Sequence, residues 1–225
     1  MLPDKTALFN PVYSYMKHLP VFIIMFILSA QHLYAQTNKM AGQYSLSGVM
    51  ETASGIELNE DSTFRFYFSY GALDRYGSGR WSVQNDNIIL DSKPYPGGDF
   101  KMVKSSSVEN KFTTIKIEDA NTNLYRLVYC LVKRPVGDTI LNADNNGIIV
   151  VQYPIDSIHL LCELCSERMT SFPIKPLKIN SYVFHFEPWI TEVFFKSFAL
   201  RYAGDHLQGK HPLLDDKEYN FKKEK

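Results

Sequence analysis

"TFRFYFSYGALDRYGSGRWSVQNDNIIL", residues 63–90, decides the fold class. Its first eight residues alternate. Phe64, Phe66, Phe68 and Tyr70 fall on one side of an extended chain, and Arg65, Tyr67 and Ser69 on the other, which is the period of a half-buried strand. Upstream, "GIELNEDSTF" (55–64) reads as a strand end, a polar turn over Asn59–Ser62 and re-entry. Downstream, Trp81 and Val83 alternate, Asn85-Asp86-Asn87 makes a turn, and Ile88–Leu90 is the next strand. Residues 42–92 are therefore expected to form an antiparallel meander.

Inside that frame, "SYGALDRYGSGRW" (69–81) resembles a glycine motif. A phosphate-cradling loop would have to open a helix, and here Gly79 leads into Arg80-Trp81-Ser82-Val83, which alternates as a strand. The stretch is instead expected to be a wide hairpin loop, with Gly71, Gly77 and Gly79 supplying positive φ or close backbone approach. Its side chains either hold the loop in shape through an internal Asp–Arg pair or bind a polar ligand. Tyr70, Asp74, Arg75, Tyr76, Arg80 and Trp81 are the candidate ligand-binding set, with Arg offering a planar fork and Tyr a stacking face.

Further out, "DSKPYPGGDF" (91–100) concentrates Pro and Gly and breaks the pattern. The segments that follow, "TTIKIED", "LYRLVYCLV", "TILNADNNGIIVVQY", "SIHLLCELC", "YVFHFE" and "TEVFFKSFAL", are β-branched or aromatic and bounded by Asn, Asp, Gly or Pro. Only the last is ambiguous with a helix. The charged tail "DDKEYNFKKEK" reads as one edge strand that frays. The expected fold class is all-β: an antiparallel meander or partial barrel over 36–105, followed by a β-sandwich over 106–225.

The 225 residues are 45% hydrophobic and 14% aromatic, a globular composition. Lys plus Arg and Asp plus Glu both number 24. No basic field is present of the kind nucleic-acid binding needs. "MKHLPVFIIMFILSAQHLYAQ" (16–36) has a basic start, an apolar run from Leu19 to Ala30 and Ala35 before a cut at Gln36, so 16–35 is expected to be a signal peptide. Residues 1–15 then read as an upstream extension. The alternative is an uncleaved anchor, through which alone a membrane would be touched. Cleavage would remove Lys5, Lys17 and Asp4, and the chain would stay near neutral.

Two resemblances add to this reading. "NADNNGIIVV" (142–151), with Asp144, Gly147 and the strand Ile148–Val151, resembles the hairpin of transthyretin-like and carboxypeptidase-regulatory-like sandwiches over residues 113–175. That implies an extracytoplasmic sandwich used for display or binding, with no shared catalytic site. Asp61, Thr63, Phe64, Gly79 and Trp81 resemble the "DxTF" and "GxW" signals of exported lipocalin-like domains. A lipocalin-like barrel needs about eight strands. The meander supplies four or five, so later strands would have to close it. The frame also resembles a group of exported bacterial β-proteins with no assigned activity.

Three cysteines follow the signal: Cys130, Cys162 and Cys165. His159, Cys162 and Cys165 are a candidate metal set, with His185 as a fourth ligand, but a strand would send Cys162 and Cys165 to opposite faces. Core thiols, or a disulfide from Cys130 to one of the pair, are the other readings. His159, His185, His206 and His211 show no nucleophile-elbow or metalloprotease spacing. Glu51 and Glu57 flank a Ser-Gly turn, and as a carboxylate pair for glycoside chemistry they would also need a sugar-stacking cleft, which the sequence does not show. Tyr67, Tyr182, Phe184, Phe186 and Trp189 are either core or an exposed aromatic patch for carbohydrate or protein.

The expectation is a non-catalytic exported protein with a binding or structural role, no cofactor, and a protein or small-molecule partner. Two alternatives stand beside it. A lipocalin-like carrier of a small apolar ligand would have a dry pocket lined by Phe66, Phe68 and Trp81. A small hydrolase would bring a His, an acid and a nucleophile into one cleft.

Overall fold

A computed structural model describes residues 39–109, 111–134, 137–174 and 179–225. The expected signal peptide and the extension before it lie outside the described residues. The chain is all-β, and its meander is present: β1 (Gly42–Ser47), β2 (Thr52–Leu58), β3 (Thr63–Tyr70), β4 (Leu73–Gln84) and β5 (Asn87–Asp91) pair antiparallel in order. Phe64, Phe66 and Phe68 are buried, as their alternation requires, and each contributes about 2 kcal/mol by leaving water. The Asn59–Ser62 turn closes through Ser62 N–H to Asn59 O, and the indole N–H of Trp81 donates to the same carbonyl.

The wide loop expected over 70–80 is absent. Tyr70 pairs with Leu73, so the turn is Gly71-Ala72 alone, with Gly71 at φ +58 as a two-residue hairpin turn favours. A twelve-residue strand follows. Its inward positions are Leu73, Arg75, Gly77, Gly79 and Trp81, and the glycines are there for space. A Cβ on Gly77 would lie 2.7 Å from the Phe195 ring, and one on Gly79 would lie 2.1 Å from Asp91 O and 2.8 Å from the Phe64 ring. Ser54-Gly55, expected as a turn, sits likewise in the middle of β2.

Five strands cannot close a barrel; the last three of the chain complete it. β14 (Phe198–Tyr202), β15 (His206–Lys210) and β16 (Glu218–Lys223) give the closed order β1-β16-β15-β14-β5-β4-β3-β2, an eight-stranded antiparallel barrel consistent with a lipocalin-like one. Residues 198–223 therefore pair in the barrel, where the sandwich over 106–225 was expected to continue. The tail is no frayed edge: β16 is bonded to β15 and β1, and Phe221 is fully buried.

The sandwich is inserted between β5 and β14. Its first sheet orders β10 (Ile148–Val151), β7 (Thr113–Ile117), β13 (Ser181–Phe186) and β6 (Phe100–Ser106), with β13 and β7 parallel. The second orders β12 (Met169–Pro173), β11 (Ser157–Cys162), β8 (Val128–Val132) and β9 (Thr139–Asn142). Both inner faces share one core, in which Ile115, Ile149 and Phe184 meet Val128, Cys130 and Leu160. The "NADNNGIIVV" turn is not a hairpin. It carries the chain from β9 in one sheet to β10 in the other. Asp144 accepts the amides of Asn146 and Ile148, and Gly147 takes φ +75 against Ile117 O.

Barrel and sandwich meet along the two connecting strands of chain, 92–99 and 187–197. Ser92 N–H donates to Phe195 O, and the Trp189 indole donates to Gly98 O. The return segment also bonds to β4: Val193 N–H donates to Tyr76 O at 2.8 Å.

Candidate functional site

The hairpin of β3 and β4 has two faces with different chemistry. Inward, Arg75 is 3% exposed and forms a bidentate pair with Glu167, at 2.7 and 3.0 Å, and donates to Glu192 O. Burial alone would raise the pKa of Glu167, but the Arg75 hydrogen bonds and charge outweigh it and hold the carboxyl below its usual range. Beside this pair Arg168 binds Asp99 and the carbonyls of Ile190 and Glu192, with its guanidinium over the rings of Tyr95 and Phe194. These charges, buried except for the half-exposed Glu167, clasp the sandwich to the barrel.

Deeper in the barrel, His211 is buried against Phe66 and Phe68 and stacked on Phe221. Its Nδ1 accepts the Leu213 amide, so its proton sits on Nε2 and is donated to Ser54 Oγ, which donates onward to Tyr67 O. That direction is the reverse of what a serine nucleophile needs. Burial pushes the His211 pKa down to about 4. Phe66, Phe68 and Trp81, the expected lining of an apolar pocket, belong with Phe221 to one buried cluster.

Outward, the sheet register sets side chains in two rows across β1–β4. Gln43, Glu57, Arg65 and Ser78 stand opposite one another in one row. Gly55, Tyr67 and Tyr76 form the next. Gly55 has no side chain, and the Tyr67 ring lies over it: a Cβ there would be 2.5 Å from Cε1 of the ring. Tyr67 is 40% and Tyr76 53% exposed, so two phenol rings open to water beside a Glu57–Arg65 pair at 3.8 Å. The rows line a depression of about 430 Å³. A second, wider one shares Arg65 and Ser78 with it and reaches Asp61, Thr63 and Arg80. Hydrogen bonds from the hydroxyl and amide of Thr63 hold the Asp61 carboxyl below its usual range.

A third depression of about 400 Å³ lies at the barrel rim against the sandwich, walled by Phe68, Leu73, Leu164, Leu213 and Leu214 and edged by Tyr70.

Of the candidate ligand set, Tyr76 and Arg80 face outward with Tyr67 and Arg65, and Tyr70 stands at the rim. Asp74 is exposed and accepts from Ser69 across the hairpin. Arg75 and Trp81 are buried and occupied by internal partners. The Asp74–Arg75 pair does not form, because adjacent strand residues point to opposite faces.

The other candidates separate. His159 lies on the opposite face of β11 from Cys162 and bonds Ser171 through Nδ1. Among the described residues no three His, Cys, Asp or Glu side chains converge to hold a metal. Cys162 and Cys165 do not point apart as expected. β11 ends at Cys162, and the 3-10 turn Glu163–Cys165 folds Cys165 back into the same core. Glu51 sits in a turn at φ +57, away from the row that holds Glu57. Tyr182 and Phe184 are core, so of the expected aromatic patch Tyr67 is the exposed member, and Tyr76 joins it from β4.

Glu167, Arg168, Asp99 and the Ser54–His211 contact carry no signal in the sequence. The Tyr67–Tyr76 pair does, through outward parity, once 73–84 is read as a strand. Comparisons with protein families, with curated proteins and with solved structures give no match.

Proposed function

We propose that the protein is a non-catalytic exported binding protein whose ligand surface is the outer barrel wall formed by Tyr67, Tyr76, Arg65, Glu57 and Gln43. The observation that carries this reading is the exposed cross-strand tyrosine pair, held beside a row of polar side chains at strand spacing. Tyrosine rings are rigid and amphipathic, and they stack on the faces of flat ligands at little entropic cost. Arg65 and Glu57 cancel in charge and offer both donors and acceptors. An uncharged, polyhydroxylated chain such as a glycan suits this pattern better than an anionic one. Export rests on the apolar run Leu19–Ala30 and the small residue at Ala35.

Native affinity gels cast with a panel of neutral polysaccharides test the proposal. Retardation by at least one polysaccharide, insensitive to high salt, is expected. Unaltered mobility in every gel overturns it.

The rim depression favours a second reading, a lipocalin-like carrier that holds an apolar ligand at the mouth of the barrel. Leu73→Glu would then abolish binding of a hydrophobic dye, while leaving polysaccharide binding intact.

A further inference from the structure

The three thiols are free and buried, and their placement favours one pairing. Cys130 on β8 stands opposite Leu160, and Cys162 on β11 stands opposite Val128. The two are therefore diagonal neighbours, whose Cα atoms lie about 7–8 Å apart in an antiparallel pair. That is beyond the span a disulfide bridges without moving backbone. Cys162 and Cys165 are joined differently. Cys162 caps the 3-10 turn that ends at Cys165, so the two bound a single four-residue turn, within about 7 Å. Both side chains lie in one buried apolar cluster.

We propose that Cys162 and Cys165 close to a structural disulfide, and that Cys130 is the thiol left over. In this step the two thiols give up two protons and two electrons to a disulfide-class oxidant such as oxidised glutathione. A sulfur–sulfur bond forms between Cys162 and Cys165, and the oxidant leaves as two thiols. In the closed core Cys162 and the Arg168 guanidinium hold the Cys165 thiol below its usual range, while Cys165 and burial push Cys162 up. Burial also pushes Cys130 up, to about 11, which keeps it a protonated and unreactive thiol.

Both sulfurs are almost wholly covered in the folded chain, so the oxidant meets them while the core is still open, and the bond once made resists exchange. The bond would staple the turn that carries Glu167 and Arg168, the residues that clasp sandwich to barrel. The proposal is independent of the binding reading.

The test is to refold the full chain in a glutathione redox buffer, denature it, alkylate it, and map the cysteine peptides by mass spectrometry. The expected protein is two hydrogens lighter than the reduced one, with Cys162 and Cys165 in one cross-linked peptide and label on Cys130 alone. Cys130→Ala, refolded in the same way, should then take no label. A bond that includes Cys130, or label on all three cysteines of the oxidised sample, overturns the proposal.

Discussion

The two faces of β3 and β4 share one backbone and hold polar groups for opposite reasons. On the inner face Arg75 is hidden and spends its guanidinium on Glu167 and Glu192 O, while glycines at 77 and 79 give way to Phe195 and Phe64. On the outer face Arg65 is 78% exposed and its contact with Glu57 is long, so that pair adds little to stability. Tyr67 and Tyr76 stand beside it with their rings partly open to water. A polar residue in this hairpin is thus structural when it faces in and available when it faces out, and substitutions should divide along that line.

The sharpest break would come at the clasp. Glu167→Ala leaves a buried guanidinium without its carboxylate, and should cost about 3 kcal/mol in urea unfolding. Arg75→Met fills the same space and leaves a half-exposed carboxylate that still has Arg168 within 4.0 Å, so it should cost about half as much. Equal costs would show that Arg75 matters by more than its charge.

His211 comes next. Its folded pKa of about 4 lies below its ordinary 6.5, so below pH 6.5 the unfolded chain binds the proton more readily. Stability from this group is fully present above pH 6.5 and is lost as pH falls towards 4, by on the order of 3 kcal/mol. His211→Leu should flatten that part of the stability-against-pH curve relative to the unmodified chain. An unchanged slope would place the titration elsewhere.

Gly79→Ala should cost about 2 kcal/mol, because the new Cβ meets the backbone oxygen of Asp91, which only strand separation can move. The smallest effect on stability belongs to the outer face, where Tyr67→Ala and Tyr76→Ala should each cost about 1 kcal/mol or less. A melting loss as large as that of Gly79→Ala would show that the tyrosines serve packing rather than contact.

The same division explains what was legible in the sequence. β3 could be read because its inner positions are phenylalanines. β4 could not, because Arg75, Gly77 and Gly79 make its inner face look like a polar loop. Those three residues make sense only against Glu167, Phe195 and Phe64, and two of those partners come from remote parts of the chain. Barrel closure was hidden in a related way. The pattern of β16, with Phe221 inward between Asn220 and Lys222, reads as a strand, but its partner β1 begins at Gly42, nearly the whole described chain away. Of the candidate site, Tyr67 and Arg65 follow from the parity of β3, whereas Tyr76 turns outward only once 73–84 is a strand. The clasp, the buried histidine and the turn that brings Cys165 back beside Cys162 depend on contacts that no local pattern encodes.

The most direct measurement compares the unmodified chain with the Tyr67→Ala/Tyr76→Ala double variant, in polysaccharide affinity gels and in thermal melts run side by side. The unmodified chain is expected to be retarded, the double variant to migrate freely, and the two to melt within a few degrees of each other. Retardation of the double variant equal to that of the unmodified chain would contradict it.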